Sequence, residues 1–132
     1  MSAQSQVLQV LEDISRTFYI PILRLPDDLQ ETISSAYLCM RAVDEIEDHE
    51  ELNRTRKANL LRETSQVLQS QTSIACFDHD ALAELYNRYE KLPEATIRLG
   101  EWACHSLETI APRIWDTTSA MADGMAYWVD RI

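Results

Sequence analysis

Residues 36–51 read AYLCMRAVDEIEDHEE: an apolar run from Ala36 to Val43 is followed directly by six carboxylates in eight positions, Asp44 to Glu51. A solvated acidic tail would have few apolar neighbours, and an ordinary surface helix would intersperse lysines and arginines to offset the repulsion. Neither pattern is present. The segment belongs to a longer helical stretch, from Asp27 to about Asp48. At 100° per residue, Tyr37, Arg41, Asp44 and Asp48 fall within about 60° of one another around its axis. Ala36, Leu38, Cys39, Met40, Ala42, Val43 and Ile46 surround that line with apolar side chains. A helix apolar nearly all round is a buried one, so the polar line is expected to face an internal cavity.

The rest of the chain extends the helical reading. It has 132 residues, one domain's worth, with 45% apolar and 26% charged residues and only two glycines and four prolines. Few breakers favour long helices over a many-turned β architecture, so the expected fold class is all-α. Helices are expected over residues 3–14, over 27–48, from about Asn53 to Gln69, and after an Asp78 or Asp80 cap. Two more are expected, from Pro93 to about Ile110 and from Pro112 to the chain end, where proline lacks only an amide that is unpaired anyway. Pro21 and Pro26 mark SRTFYIPILRLP as a kinked connection. The chain ends inside a helical pattern, which suggests that sequence is missing.

A net charge of −10 argues against a nucleic-acid partner and suits a protein that collects divalent cations. Cys39, Cys76 and Cys104 have no CxxC spacing and are expected as buried free thiols. With no signal peptide or membrane span in the pattern, this points to a cytoplasmic protein.

On the polar line, Asp44 and Asp48 sit one turn apart, with side-chain origins about 6 Å from each other. Hard oxygen ligands too few to cage an ion suit Mg²⁺, which keeps several waters and shares its other positions with substrate phosphates. Arg41 offers a planar fork for phosphate oxygens, and Tyr37 adds a hydroxyl. The alternative is that Arg41 pairs with Asp44 and Glu45 as helix neighbours. Glu50 and Glu51 read as a solvated helix exit. Gly124, in MADGMA, implies either close packing or room for a ligand. Asp116, Asp123 and Asp130 recur every seven residues, too far apart for one ion, and read as a solvated face. Trp102, Trp115 and Trp128 are core or interface residues, and His49, His79 and His105 share no ligand spacing.

SRTF at Ser15 to Phe18, Tyr37, Arg41 and DEIED at Asp44 to Asp48 together resemble the N-terminal part of the squalene and phytoene synthases, head-to-head prenyl transferases of the all-α isoprenoid synthase fold. The resemblance covers nearly the whole chain and implies that residues 1–132 are the N-terminal part of such a domain. It implies Asp44 and Asp48 as Mg²⁺ ligands, and Tyr37 and Arg41 as catalytic residues on a prenyl diphosphate. Ser15 and Arg16 would join them on the diphosphate, with Phe18 along the prenyl chain. NADPH is implied if squalene, the branch that SRTF and DEIED favour, is the product. An apolar product implies peripheral membrane contact. The family's second aspartate-rich motif would lie beyond Ile132, so this chain is expected to be incomplete and to self-associate through uncovered apolar faces. The alternative is a catalytically silent relative that acts as a helical assembly or binding protein.

Overall fold

A computed structural model describes residues 3–131; the side chains of residues 3–6 and of Phe18 lie outside that description. All regular elements among the described residues are helices: α1 Ala3–Ile14, α2 Arg16–Ile22, α3 Asp27–Glu47, α4 Arg54–Gln69, α5 His79–Tyr86, α6 Glu94–Ile97, α7 Leu99–Ala103 and α8 Ala111–Arg131. The all-α class therefore holds, and none of these helices is long and apolar enough to cross a membrane.

α3 is the hub. It packs against α1, α2, α4, α6, α7 and α8, while the most extensive pairing joins α4 to α8. Its buried positions Ser34, Ser35, Leu38, Cys39, Ala42, Val43 and Ile46 recur at three- and four-residue spacing, the period of one helix face. Leu38, Cys39, Ala42, Val43 and Ile46 join Leu60, Leu61 and Leu68 of α4, Trp102 of α7, and Trp115, Ala122 and Ala126 of α8 in one core. Both core tryptophans satisfy their indole N–H on a backbone carbonyl, Trp102 Nε1 on Ala95 O at 3.0 Å and Trp115 Nε1 on Ala103 O at 2.9 Å.

Local signals place most helix ends. Asn53 caps α4 by accepting from Arg56 N at 2.9 Å, and Asp78 caps α5 by accepting from Ala81 N at 3.0 Å. Two stretches depart from expectation. SRTFYIPILRLP is not merely a connection: α2 runs through Pro21, and Leu23 N still bonds Tyr19 O at 3.2 Å beyond it. Proline this near a helix end removes a single bond, a cost the following turn absorbs.

The expected helix from Pro93 to Ile110 is instead broken at Arg98 and ends at Ala103. Tertiary anchors override the local pattern. Thr96 Oγ1 donates to Ala42 O of α3 at 2.8 Å, and past the break Arg98 makes only local contacts, pairing with Glu101 at 2.8 Å with its guanidinium 4.2 Å from the Trp102 ring centroid. Gly100 backs onto α5, where an added Cβ would stand 3.0 Å from His79 Nδ1 and 3.3 Å from Leu82.

The cysteines also divide. Cys39 is buried, but Cys104 is half-buried and Cys76 is exposed in the turn before α5, so the expectation of three buried thiols holds for one.

Candidate functional site

The last turns of α3 carry the site. Asp44, Glu47 and Asp48 can each present one carboxylate oxygen such that the three atoms lie within 4.8 Å of one another. Spacing brings this about, because positions three and four apart share a helix face, so Asp44 reaches both Glu47 and Asp48. Glu47, which the aspartate spacing alone does not single out, is the third member; its signal was the i+3 position after Asp44. A triad of hard oxygens on a rigid helix fits a small divalent cation, with positions left over for another ligand.

Tyr37, Met40, Arg41 and Asp44 line one recess of about 210 Å³, closed on the far side by Met121 of α8. The predicted line Tyr37–Arg41–Asp44 is thus assembled, with an apolar methionine on each wall. It does not face a sealed cavity. α3 buries one side only: Tyr37, Arg41 and Asp44 are half-buried, Met40 is 43% exposed, and Asp48 is exposed. On its other flank Met40 lines a second recess with Arg113, Ile114, Thr117 and Thr118 of α8.

Arg41 donates from Nε to Glu45 Oε1 at 3.1 Å, so the helix-neighbour pairing is present. That bond, followed by the smaller effects of Glu45 and Tyr37 charge and hydrogen bonding, holds the guanidinium above its ordinary range despite some desolvation. With Nε committed to Glu45, the guanidinium is steered by the helix itself. Glu45 is also the carboxylate of the DEIED run that stands outside the three-carboxylate cluster.

Ser15 sits half-buried between α1 and α2, and Arg16 is exposed at the start of α2; neither lines the Tyr37–Arg41 recess or joins the carboxylate cluster. The side chain of Phe18 lies outside the described residues. Glu50 and Glu51 are exposed, as expected of a helix exit, with Glu51 near Lys91 Nζ at 3.6 Å. Asp116, Asp123 and Asp130 are likewise exposed, and Asp130 pairs with Arg62. Gly124 faces open space rather than close packing, since nothing lies within 4 Å of an added Cβ. Trp128 departs from the other tryptophans in being 65% exposed.

The sequence model of the squalene/phytoene synthase family matches residues 11–129. A squalene synthase of Botryococcus braunii is 29% identical over 124 residues, covering 93% of this chain and 25% of its own length. A presqualene diphosphate synthase of the same organism is 33% identical over 93 residues, covering 65% of this chain and 23% of its own. The squalene synthase of Eremothecium gossypii is 31% identical over 122 residues, covering 92% and 26%. The chain thus spans about a quarter of the length of the curated relatives it matches. No solved structure matches it significantly. The match over residues 11–129 takes in both the Tyr37–Arg41 line and the whole carboxylate cluster, and the chain belongs to the squalene/phytoene synthase family.

Proposed function

We propose that this chain carries the diphosphate- and metal-binding half of a head-to-head prenyl transferase that condenses two prenyl diphosphates. The observation that carries the reading is the adjacency, at Asp44, of a three-carboxylate cluster and a recess walled by Tyr37, Arg41, Met40 and Met121. Asp44, Glu47 and Asp48 would hold Mg²⁺, which supplies Lewis-acid neutralisation of a departing diphosphate. Arg41, oriented by Glu45, adds fixed positive charge where the leaving group gains negative charge, and Tyr37 adds a hydroxyl donor. The methionines offer a polarizable apolar wall to the allylic end. Ser15, Arg16 and Phe18 are assigned to the substrate by resemblance alone. NADPH enters only for a squalene product.

The test is binding of a non-ionisable prenyl thiodiphosphate to the 132-residue chain with and without Mg²⁺. Binding should require Mg²⁺ and weaken about 10-fold or more in Asp44→Asn, the scale of a lost charge-assisted contact. Equal affinity in chelator, or an unchanged Asp44→Asn variant, would refute the reading.

A further inference from the structure

The carboxylate cluster sits at the least favourable place for negative charge on α3. The last turn of this helix has no basic residue, Asp48 is its C-cap, and Glu50 and Glu51 follow almost directly. The C-terminal end of a helix carries partial negative charge, and like charges three and four residues apart repel, so left to itself this end would unwind. It does not unwind: Asp48 keeps a helical backbone, φ −82° and ψ −2°, and its N–H bonds Asp44 O at 3.0 Å. Winding as far as Asp48 is what brings its carboxylate within reach of Asp44 and Glu47.

A second element holds that end. His49 Nδ1 accepts from the Glu51 N–H at 3.1 Å, which leaves the ring proton on Nε2, where it faces Lys91 O at 2.9 Å. Both ring nitrogens are used, one within the turn after α3 and one across to the connection between α5 and α6. Lys91 has a left-handed backbone, φ 57°, the only one among the described non-glycine residues. That conformation is unfavourable for a residue with a side chain and persists where the surroundings hold it. In it, Lys91 presents its carbonyl to His49 while its Nζ stands 3.6 Å from Glu51 Oε1.

We infer that His49 is a positioning residue for the carboxylate cluster: by tying the 48–51 turn to Lys91 it holds the end of α3 wound against its own charge and keeps Asp48 beside Asp44 and Glu47. This role rests on the proposed function of the cluster as an Mg²⁺ site. His49 acts without touching the cation, since the three-carboxylate cluster does not include it. Metal affinity depends on the groups that orient the ligands, and losing one typically weakens it about 10- to 100-fold.

Mg²⁺ is titrated calorimetrically into the 132-residue chain, and amide hydrogen exchange is followed in chelator. His49→Ala should weaken Mg²⁺ binding about 10-fold and speed exchange at residues 48–51, with exchange in α4 and α8 unchanged. His49→Gln offers an acceptor and a donor on one planar group and should recover most of the affinity. Lys91→Gly keeps the carbonyl, suits the left-handed backbone and removes only the exposed Glu51 pair, so its Mg²⁺ affinity should stay within about twofold of the parent.

Parent-like Mg²⁺ affinity in His49→Ala, where Asp44→Asn binds more weakly, overturns the positioning role and leaves the proposed function standing. Faster exchange throughout α4 and α8 in His49→Ala overturns it too, because His49 is then a general structural contact. A His49→Gln variant as weak as His49→Ala does the same, since the two ring hydrogen bonds are then not the cause. A parent chain that binds no Mg²⁺ at millimolar concentration overturns both the positioning role and the proposed function.

Discussion

Arg41 and Glu45 are joined across one turn of α3, Nε to Oε1 at 3.1 Å, and this contact sorts the charges of the DEIED run. Glu45 is committed to the guanidinium. Asp44, Glu47 and Asp48 remain as a cluster of like charge with carboxylate oxygens within 4.8 Å of one another. Three carboxylates so close repel one another, and a bound cation would relieve that repulsion, which separates what they do for stability from what they would do for binding.

Replacing Asp44 or Asp48 with Asn, or Glu47 with Gln, is therefore expected to leave the melting temperature unchanged or to raise it in chelator. The same changes should lower Mg²⁺ affinity about 10-fold or more each. Paired thermal melts and calorimetric Mg²⁺ titrations check this; a variant that loses stability in chelator while keeping its Mg²⁺ affinity contradicts it.

Arg41→Lys keeps the charge but loses the planar fork. The Glu45 pair is partly exposed, at 39% and 25% for the two side chains, so its loss should cost under about 1 kcal/mol of stability. Affinity for a thiodiphosphate analogue should fall further, by about 10-fold. A variant that melts several degrees lower yet binds normally would show that Arg41 serves only its helix.

The line from Tyr37 to Asp48 was legible because helical spacing fixes which side chains share a face whatever packs around them. What the pattern could not disclose was the cover. Met40 and Val43 read alike as apolar residues of a buried helix, yet Val43 is fully buried and Met40 is 43% exposed. Exposure depends on where α8, α6 and α7 cross α3, and those crossings are tertiary. The break at Arg98 has the same origin, since Thr96 is fixed by Ala42 of α3 and Gly100 backs onto His79 of α5. Glu47 shares that face by the same helical rule, three residues after Asp44.

Buried hydroxyls on and beside α3 should respond in opposite ways to deletion. Thr96 Oγ1 satisfies Ala42 O, and Thr96→Val would leave that carbonyl's extra bond unmade at a cost of about 1–2 kcal/mol. Ser34 Oγ is buried with no hydrogen-bond partner among the described residues, so Ser34→Ala removes an unsatisfied group and should be neutral or stabilising. Urea denaturation of both variants measures the contrast; equal destabilisation would contradict it.

Alkaline pH should loosen the core. Burial pushes the Cys39 thiol up to about 12 from 9.0, against a smaller opposing effect of Ser35, and pushes Cys104 up to about 11. Burial likewise raises the Tyr86 phenol, which shares a 3.2 Å bond with Thr64. For groups whose folded values lie above their unfolded ones, the unfolded chain loses protons first as pH rises. Their contribution is intact below about pH 9 and is lost progressively from there to about pH 12. Melting temperature should decline over that window, and less steeply in Cys39→Ala corrected for its cavity cost. Below pH 9, iodoacetamide should modify exposed Cys76 well before Cys39; fast labelling of Cys39 in the folded chain would contradict its burial.

The last expectation concerns association. Met40, Tyr127 and Trp128 are 43%, 48% and 65% exposed, and Met121 and Met125 are half-buried on the same helix as the two aromatics. Apolar area removed from water contributes about 25 cal/mol per Å², and contiguous patches beyond a few hundred Å² are uncommon on soluble monomers. The net charge of −10 opposes association by repulsion that salt screens, with a Debye length of about 10 Å at 0.1 M. The 132-residue chain is therefore expected to self-associate, more strongly as ionic strength rises. Because Trp128 is the most exposed large apolar side chain among the described residues, Trp128→Gln should shift the equilibrium toward monomer without lowering the melting temperature of the dilute protein. Light scattering across concentration and salt tests the claim: a monomer at high micromolar concentration in 0.5 M salt would show that these side chains do not form a sticky face, and association weakening with salt would show that charge, not apolar burial, drives it.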